Sequence, residues 1–231
     1  MSSDPIPSPG DLDRRLARHL SHRLGAWPPG NKLQIVGCEL RDEPEWDGMV
    51  RPLLGVETPT GTIISVSPAA LAEVERLARG GREALSAGIG AVFGQEGETL
   101  GFGIFRYLDH LVDLDDLGEW VETDDARLPG WLRPFNGGVL IVCDEANRYM
   151  AGVGLKRHDE FGSEIAVGTE PEFRGRGLAR RLVATAARHL LATGATVTYE
   201  HALDNDSSGA VASASGFSDR GWKAVHLGEE E

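Results

Sequence analysis

Cysteine, aromatic residues and long apolar runs are all scarce in this chain of 231 residues. There are 2 cysteines, Cys38 and Cys143, and each stands in an apolar, strand-like stretch. We therefore expect buried reduced thiols rather than a disulfide or a metal site. No apolar run approaches the roughly 20 residues that cross a bilayer, and the first residues lack the basic and apolar regions of a signal peptide. The expectation is a cytoplasmic protein with no membrane partner and no metal.

Positive charge is also scarce. The formal net charge is −13, which argues against a nucleic-acid partner, because phosphate backbones attract basic surfaces. Even so, four arginines fall within eight positions: Arg174, Arg176, Arg180 and Arg181. They flank the start of a predicted helix, where the macrodipole disfavours cations. A bound anion would offset that cost, so we interpret the cluster as part of an anion-binding site.

The chain divides into a short tail and two larger parts. Residues 1–10 are rich in proline and lack apolar periodicity, which predicts a disordered tail. Residues 11–112 are predicted to form an N-terminal α/β segment and residues 113–231 a second domain. The acidic stretch 113–125 lies at their junction. It is interpreted either as a solvated connection or as the rim of a pocket that attracts a cationic substrate.

Secondary-structure signals are present in both parts. In the first part they predict a helix at 11–24, strands at 32–40, 52–56 and 62–66, helices at 67–79 and 82–92, and a strand or buried loop at 100–108. In the second part they predict strands at 139–143, 150–155, 163–169, 196–199 and 222–227, with helices at 177–192 and 207–214. The order of the second part, β-β-β-α-β-α-β, indicates an α/β layer built on a mixed sheet.

The loop between the third strand and the long helix of the second part carries the chemistry. Gly175 and Gly177 allow a tight turn with several N–H groups on one side, and the helix N-terminus adds positive potential. These features predict a cradle for a pyrophosphate. A P-loop would need lysine where Leu178 stands, and a dinucleotide fingerprint would need glycine where Arg180 stands.

Three segments resemble the GNAT superfamily of N-acetyltransferases. Arg174-x-x-Gly177-x-Ala179 matches its R/Q-x-x-G-x-G/A loop. Thr169-x-Pro171-Glu172-Phe173 before the loop, and Asn205-x-x-Ser208 with Gly216-Phe217 after it, are similar to the flanking segments. The resemblance covers residues 138–227. More loosely, residues 61–77 and 105–109 look like the upstream part of actinobacterial-type members, which have an N-terminal extension.

The resemblance implies both a fold and a cofactor. The fold is a GNAT-like mixed, mostly antiparallel twisted sheet flanked by helices, preceded by the N-terminal α/β segment. The cofactor is acetyl-CoA, used as a co-substrate without a metal. Backbone groups of Val167 and Thr169 would bind the pantetheine arm, and Asn205 and Ser208 would lie near the thiol. The pyrophosphate would be held by the loop, with Arg174 or Arg176 adding charge and N–H groups supplied by Gly175, Arg176, Gly177, Leu178, Ala179 and Arg180.

The implied reaction is direct transfer of the acetyl group to a primary amine of a small molecule or peptide. Many family members carry a tyrosine where this chain has Ala212. Either the thiolate leaves without an acid, since thiol pKa values are only about 8.5, or Tyr199 or His201 donates the proton. Candidate general bases are Glu164, Glu200 and His201.

Several alternatives stay open at this point. The chain could instead be a non-catalytic regulatory module that binds CoA or acyl-CoA, and it could act as a homodimer. Trp131, Phe135 and Trp222 could wall an acceptor pocket, although core packing is the ordinary role of such residues.

Overall fold

The computed structural model describes residues 8–228. Most of the predicted tail, residues 1–7, lies outside this range. The first helix begins at Pro9, two residues earlier than predicted. Ser8 stabilises this start, because its Oγ accepts a hydrogen bond from the Asp11 N–H at 3.3 Å, and proline suits the first turn of a helix.

Five helices and ten strands are present in this range. The helices are α1 (Pro9–Leu24), α2 (Leu71–Ala78), α3 (Arg82–Val92), α4 (Leu178–Ala192) and α5 (Asp206–Ala214). The strands are β1 (Leu33–Gly37), β2 (Leu53–Thr58), β3 (Gly61–Val66), β4 (Thr99–Tyr107), β5 (Glu119–Val121), β6 (Val139–Cys143), β7 (Tyr149–Arg157), β8 (Gly162–Thr169), β9 (Thr196–Ala202) and β10 (Lys223–Gly228). Most predicted elements are confirmed to within a few residues, and the segment at 100–108 is a strand.

One compact unit, here called the N-terminal unit, comprises residues 17–105, 201–204 and 220–228. Its strands follow the order β1-β3-β2-β10-β4. The β1–β3 pair is parallel and the other pairs are antiparallel. Leu53, Ile64 and Val66 of the sheet pack with Val74 of α2 and Ile89 of α3 in a buried core.

The second compact unit, the C-terminal unit, comprises residues 8–16, 106–200 and 205–219. Its strand order is β9-β8-β7-β6-β5, with β8 and β9 parallel and the other pairs antiparallel. Helix α4 buries Leu182, Val183 and Ala186 against Val153 and Ile165 of the sheet. The apolar face of this helix is therefore the face that packs.

The predicted fold class, a mixed and mostly antiparallel sheet flanked by helices, is confirmed. The two units differ from the predicted ranges 11–112 and 113–231 at both chain ends. Because β10 pairs with β2 and β4, residues 220–228 belong to the N-terminal unit. The start of α1 belongs to the C-terminal unit, where Leu12 joins the core.

The acidic stretch 113–125 is more structured than a solvated connection. Arg188 donates hydrogen bonds to the carbonyls of Val112 and Leu114 at 3.3 and 2.8 Å, and pairs with Asp116 at 2.6 Å. The N–H of Leu117 donates to Thr185 Oγ1 at 3.0 Å. The start of the stretch is therefore bound along the outer side of α4. Its middle forms β5, which its acidic composition did not predict.

The described residues were also compared with the expectations for membrane spans, metal sites and cysteines. Within residues 8–228, no helix combines the length and apolarity that a membrane span requires. The same residues contain no cluster of three or more His, Cys, Asp or Glu side chains arranged to hold a metal ion. Cys38 and Cys143 are free thiols, and both are half-buried.

Glycines on one face of β7 and β8 allow aromatic side chains to lie directly on the sheet. A Cβ atom added to Gly154 would be 2.3 Å from the ring of Phe135, and one added to Gly168 would be 2.7 Å from Trp131. The two rings meet edge to face, with centroids 5.9 Å apart. The 130–135 segment is thus held against the strand that leads into the predicted anion loop.

We expect Gly154→Ala to lower the free energy of unfolding by about 1–3 kcal/mol, because the methyl group overlaps the Phe135 ring. The measurement is a urea unfolding curve. Gly130→Ala is the matched control, since nothing lies within 4 Å of a Cβ atom at Gly130. Equal stability of the two variants would contradict this packing.

Candidate functional site

A cleft opens where β8 and β9 separate. The two strands pair only from Gly162 to Glu164 on β8, and Glu164 and Thr198 form the last pair. Beyond it, the second half of β8, the start of α4 and the start of α5 enclose a volume of about 720 Å³. The lining residues are Val167, Gly168, Thr169, Phe173, Arg174, Gly175, Arg176, Gly177, Leu178, Ala179, Arg180, Tyr199, Asn205, Ser207, Ser208, Ala210, Val211 and Ala214. Every residue predicted to bind the cofactor is among them.

The loop before α4 turns through two glycines. Gly175 and Gly177 both have φ of +74°, a left-handed conformation that favours glycine. Gly177 is the N-cap of α4, and no side chain caps the helix. The N–H groups of Leu178, Ala179 and Arg180 therefore have no carbonyl partner within the helix. Together with the helix dipole they form a site for an anion.

The arginine cluster divides into two groups with different surroundings. Arg174 Nε donates to the Thr169 carbonyl at 3.2 Å, and the Arg176 guanidinium lies over the Phe173 ring at 5.2 Å. Arg180 folds back so that its Nε would be 3.0 Å from a Cβ atom at Gly177. These three residues line the cleft. Arg181 does not, because it donates to the carbonyls of residues 115 and 116 instead.

One buried polar atom in the cleft points to a ligand. The Oγ1 atom of Thr169 is buried and has no hydrogen-bond partner within residues 8–228. A buried hydroxyl without a partner is costly, and Thr169 is one of the lining residues. The site fits a cofactor that offers a polar group beside Thr169 and a pyrophosphate at the α4 N-terminus.

Tyr199 and the first turn of α5 form a hydrogen-bonded group in the cleft. The Tyr199 hydroxyl lies 2.8 Å from Ser208 Oγ. Asn205 caps α5, since its Oδ1 accepts from the Ser208 N–H at 3.0 Å and from Ser207 Oγ at 2.9 Å. Burial raises the pKa of Tyr199, although the bond with Ser208 acts in the opposite direction. The phenol is therefore protonated near neutral pH and able to donate.

Ala212, at the position where the resemblance predicts a tyrosine, is completely buried. It belongs to the same core cluster as Tyr199 and Phe217 and does not line the cleft. The phenol beside α5 comes instead from Tyr199 on strand β9. Its hydroxyl contacts Ser208, which lies one helical turn before Ala212.

Glu164 is held in an ion pair away from the cleft lining. Its Oε1 contacts Lys156 Nζ, and its Oε2 lies 3.6 Å from His158 Nε2. Burial alone would raise the pKa of Glu164, but the charge of Lys156 and the hydrogen bond of His158 outweigh it and hold the pKa at about 2. A carboxylate with so low a pKa is a weak base.

Glu164 and Tyr199 lie on opposite faces of the sheet. Glu164 is paired side by side with Thr198, and successive side chains on a strand alternate between faces. Glu200 shares the face of Glu164 by the same alternation. His201 belongs to the N-terminal unit, where its Nδ1 lies 2.9 Å from the Ala202 carbonyl oxygen, and it does not line the cleft.

Of the three predicted catalytic residues, the structure brings only Tyr199 into the cleft. The roles of Glu164 and His201 stay predictions. Among the cleft residues that sequence reasoning missed are Ser207, Ala210, Val211 and Ala214 of α5. Their signal was the run of small residues in that helix, which leaves room beside its exposed face.

The three aromatic residues proposed as acceptor walls have separate surroundings. Trp222 stacks with Phe105, ring centroids 6.2 Å apart, within the N-terminal unit. Phe135 is buried on Gly154, whereas Trp131 keeps 40% of its surface exposed over Gly168. None of the three lines the cleft.

Comparison with known proteins identifies the family of the segment that contains this cleft. Residues 105–217 match the model of the acetyltransferase (GNAT) family, and this segment belongs to that family. Acyl transfer is the general reaction of that family. No curated protein matches the chain.

Among similar solved structures, the first described here supports the fold. A GCN5-related N-acetyltransferase-like protein from Streptococcus suis is similar, with 14% identity, a TM-score of 0.52 and coverage of 94% of this chain and 99% of that one. A GCN5-related N-acetyltransferase from Kribbella flavida gives 16% identity, a TM-score of 0.49 and coverage of 96% of each chain. A GNAT-family acetyltransferase from Colwellia psychrerythraea gives 11% identity, a TM-score of 0.48 and coverage of 72% and 76%.

The double variant Arg174→Ala/Arg176→Ala should weaken CoA binding by about 1–3 kcal/mol, the scale of lost charge-assisted hydrogen bonds. Calorimetric titration with CoA measures this change. Arg79→Ala, which removes an exposed arginine at the end of α2, is the control and should bind as wild type does. Unchanged affinity in the double variant would mean that these two side chains do not contribute to CoA binding. The backbone N–H groups of the loop would then be the remaining contact for the pyrophosphate.

Glu164→Gln should lower the free energy of unfolding at pH 7 by about 3 kcal/mol, because one partner of a buried ion pair is lost. The folded pKa is depressed from 4.5 to about 2. The stabilisation is therefore present above pH 4.5 and is lost as the pH falls toward 2.

Urea unfolding at several pH values tests this. The difference in unfolding free energy between wild type and variant should shrink as the pH falls from 4.5 toward 2. The exposed Glu160→Gln is the control. A difference that stays constant with pH would be inconsistent with an ionised Glu164.

Proposed function

We propose that the chain is an acetyl-CoA-dependent N-acetyltransferase that moves the acetyl group directly to a primary amine of a small molecule or peptide. One observation carries the proposal. A single cleft contains both an anion cradle at the start of α4 and a protonated, buried phenol hydrogen-bonded to α5. The first suits the pyrophosphate of acetyl-CoA, and the second suits the leaving thiolate.

The binding residues divide by the part of the cofactor that each would hold. N–H groups from Gly175 to Arg180 would bind the pyrophosphate, with Arg174 and Arg176 adding charge. The half of β8 that is not paired with β9 offers backbone groups of Val167 and Thr169 to the pantetheine arm. Asn205 fixes the first turn of α5 and thereby the position of Ser208.

Acetyl-CoA supplies an activated thioester. In direct transfer the amine nitrogen bonds to the acetyl carbon, the carbon–sulfur bond breaks, the amine loses a proton and the thiolate gains one. Tyr199 would donate that last proton, since its hydroxyl is in the cleft and protonated. Holding the two reactants together contributes a large share of such rate enhancements.

For the amine that accepts the acetyl group, only a chemical class is proposed. The net charge of −13 favours a cationic amine over an anionic one. An amine must lose its proton before it attacks, and Glu200, on the sheet face opposite Tyr199, is one candidate to accept it. Glu164 and His201 remain candidates, directly or through water.

The test is incubation with acetyl-CoA and a panel of primary amines, including small polyamines and lysine-containing peptides. Free thiol should appear only when an accepted amine is present. CoA binding without thiol release across the panel would instead support the alternative, a non-catalytic CoA- or acyl-CoA-binding regulatory module. Ala212 favours that alternative, because the usual acid is absent from its usual position.

Tyr199→Phe should lower kcat by about 100-fold, the lower end of acid–base contributions, and leave CoA affinity unchanged. Steady-state kinetics with the accepted amine measures the first and calorimetry the second. Tyr107→Phe is the matched control, because Tyr107 is also buried but bonds to Asp13 at 3.2 Å and does not line the cleft. Full activity of Tyr199→Phe would remove the phenol from the mechanism.

A further inference from the structure

Arg106 is a buried guanidinium at the end of β4 that the proposed reaction has not used. Its side chain is 6% exposed. Nη1 donates to Ser213 Oγ at 2.8 Å and to the Phe217 carbonyl at 3.2 Å. Nη2 lies 3.4 Å from the Asp219 carboxylate, whose side chain is 51% exposed. Water screens so exposed a partner, so the buried charge of Arg106 is only partly neutralised.

These contacts hold both components of the Tyr199–Ser208 hydrogen bond. Ser213 is in the last turn of α5, the helix that begins at the Asn205 cap and carries Ser208. Phe217 follows the helix, and its ring packs on the Tyr199 ring with centroids 5.6 Å apart. Arg106 thus fixes Ser208 through the helix and the phenol through its aromatic neighbour.

The charge of Arg106 also acts on the phenol. Burial raises the pKa of Tyr199, and the charge of Glu164 adds to this effect, whereas the Ser208 hydrogen bond and Arg106 lower it. An ordinary phenol has a pKa of about 10 and a thiol about 8.5, so proton donation to a thiolate is already uphill. Any further rise in the pKa of Tyr199 would oppose this proton donation. A nearby cation stabilises the phenolate that donation leaves behind.

We propose that Arg106 is a positioning residue for acetyl transfer: it aligns the Tyr199–Ser208 pair and offsets the negative charge that forms on Tyr199 as the proton leaves. This inference rests on the proposed acid role of Tyr199. It assigns a function to a residue outside the cleft lining, acting through Ser213 and Phe217 rather than on substrate.

The test measures the titration of each tyrosine in the full chain. The chain has 3 tyrosines, and uniform incorporation of 3-fluorotyrosine gives a ¹⁹F signal for each, assigned with Tyr107→Phe, Tyr149→Phe and Tyr199→Phe. Arg106→Gln should raise the Tyr199 midpoint by about one pH unit, a tenfold change in the proton equilibrium, and leave the other two midpoints in place. Arg106→Lys should restore most of the shift, because it keeps the charge.

Asp219→Asn provides a second, surface variant in case Arg106→Gln does not fold. Removing this partially exposed carboxylate should lower the Tyr199 midpoint. A Tyr199 midpoint that moves in neither variant would overturn the inference, and so would equal movement of all three tyrosines, which indicates general loosening of the fold.

Kinetics separates this inference from the proposed function. Arg106→Gln should reduce kcat about tenfold in the wild-type background and cause no further loss in the Tyr199→Phe background. Equal loss in both backgrounds would contradict the positioning role of Arg106 and would leave the acid role of Tyr199 in place. Full activity of Tyr199→Phe instead contradicts the acid role, and it does so whatever the titration shows.

Discussion

Strands β8 and β9 run side by side for three residue pairs and then part after Glu164 and Thr198, and the site depends on that separation. Further pairing would consume the backbone groups of Val167 and Thr169 in the sheet and close the cleft. The separation instead leaves an edge of β8 free inside the unit. It also allows α4 and α5 to approach the gap with their N-termini, so three sources of hydrogen-bond donors line one volume.

The distribution of charge around the cleft depends on the position of the α4 N-terminus. On a chain with a net charge of −13, Arg174, Arg176 and Arg180 lie at a helix N-terminus that already favours anions. Other arginines of the C-terminal unit, such as Arg127 and Arg188, pair with acidic side chains. Positive potential is thereby concentrated at the loop, which suits a ligand with several phosphates. Arg181 binds backbone carbonyls of the acidic stretch and does not line the cleft.

The residues predicted to bind the cofactor lie together in one cleft, and part of their signal is local. The Gly-rich turn and the helix start are set by neighbouring residues, and the other positions followed from the resemblance; all eleven residues predicted to bind the cofactor line the cleft. Alternation and apolar stripes predicted the strands and helices, and the resemblance implied that the sheet is mostly antiparallel. Strand β5 was not predicted, because its three residues carry no periodic signal and acidic neighbours mask it.

The surroundings of the residues predicted to be catalytic could not be predicted, because they depend on contacts distant in sequence. Glu164 has the chemistry of a base, but Lys156, eight residues away, lies on the neighbouring strand and fixes its charge. Arg106 carries no motif, and its link to α5 spans more than 100 residues. Only the fold shows that Tyr199 supplies a phenol beside Ser208 while Ala212 is buried in the core.

The central claim is that this cleft binds acetyl-CoA with its pyrophosphate on the loop and its sulfur near Tyr199. The most direct measurement is a crystal structure of the complex with CoA. The account predicts pyrophosphate oxygens at about 2.7–3.2 Å from N–H groups between Gly175 and Arg180, with the sulfur beside the Tyr199 hydroxyl. CoA bound outside the cleft, or with its pyrophosphate away from this loop, would contradict it.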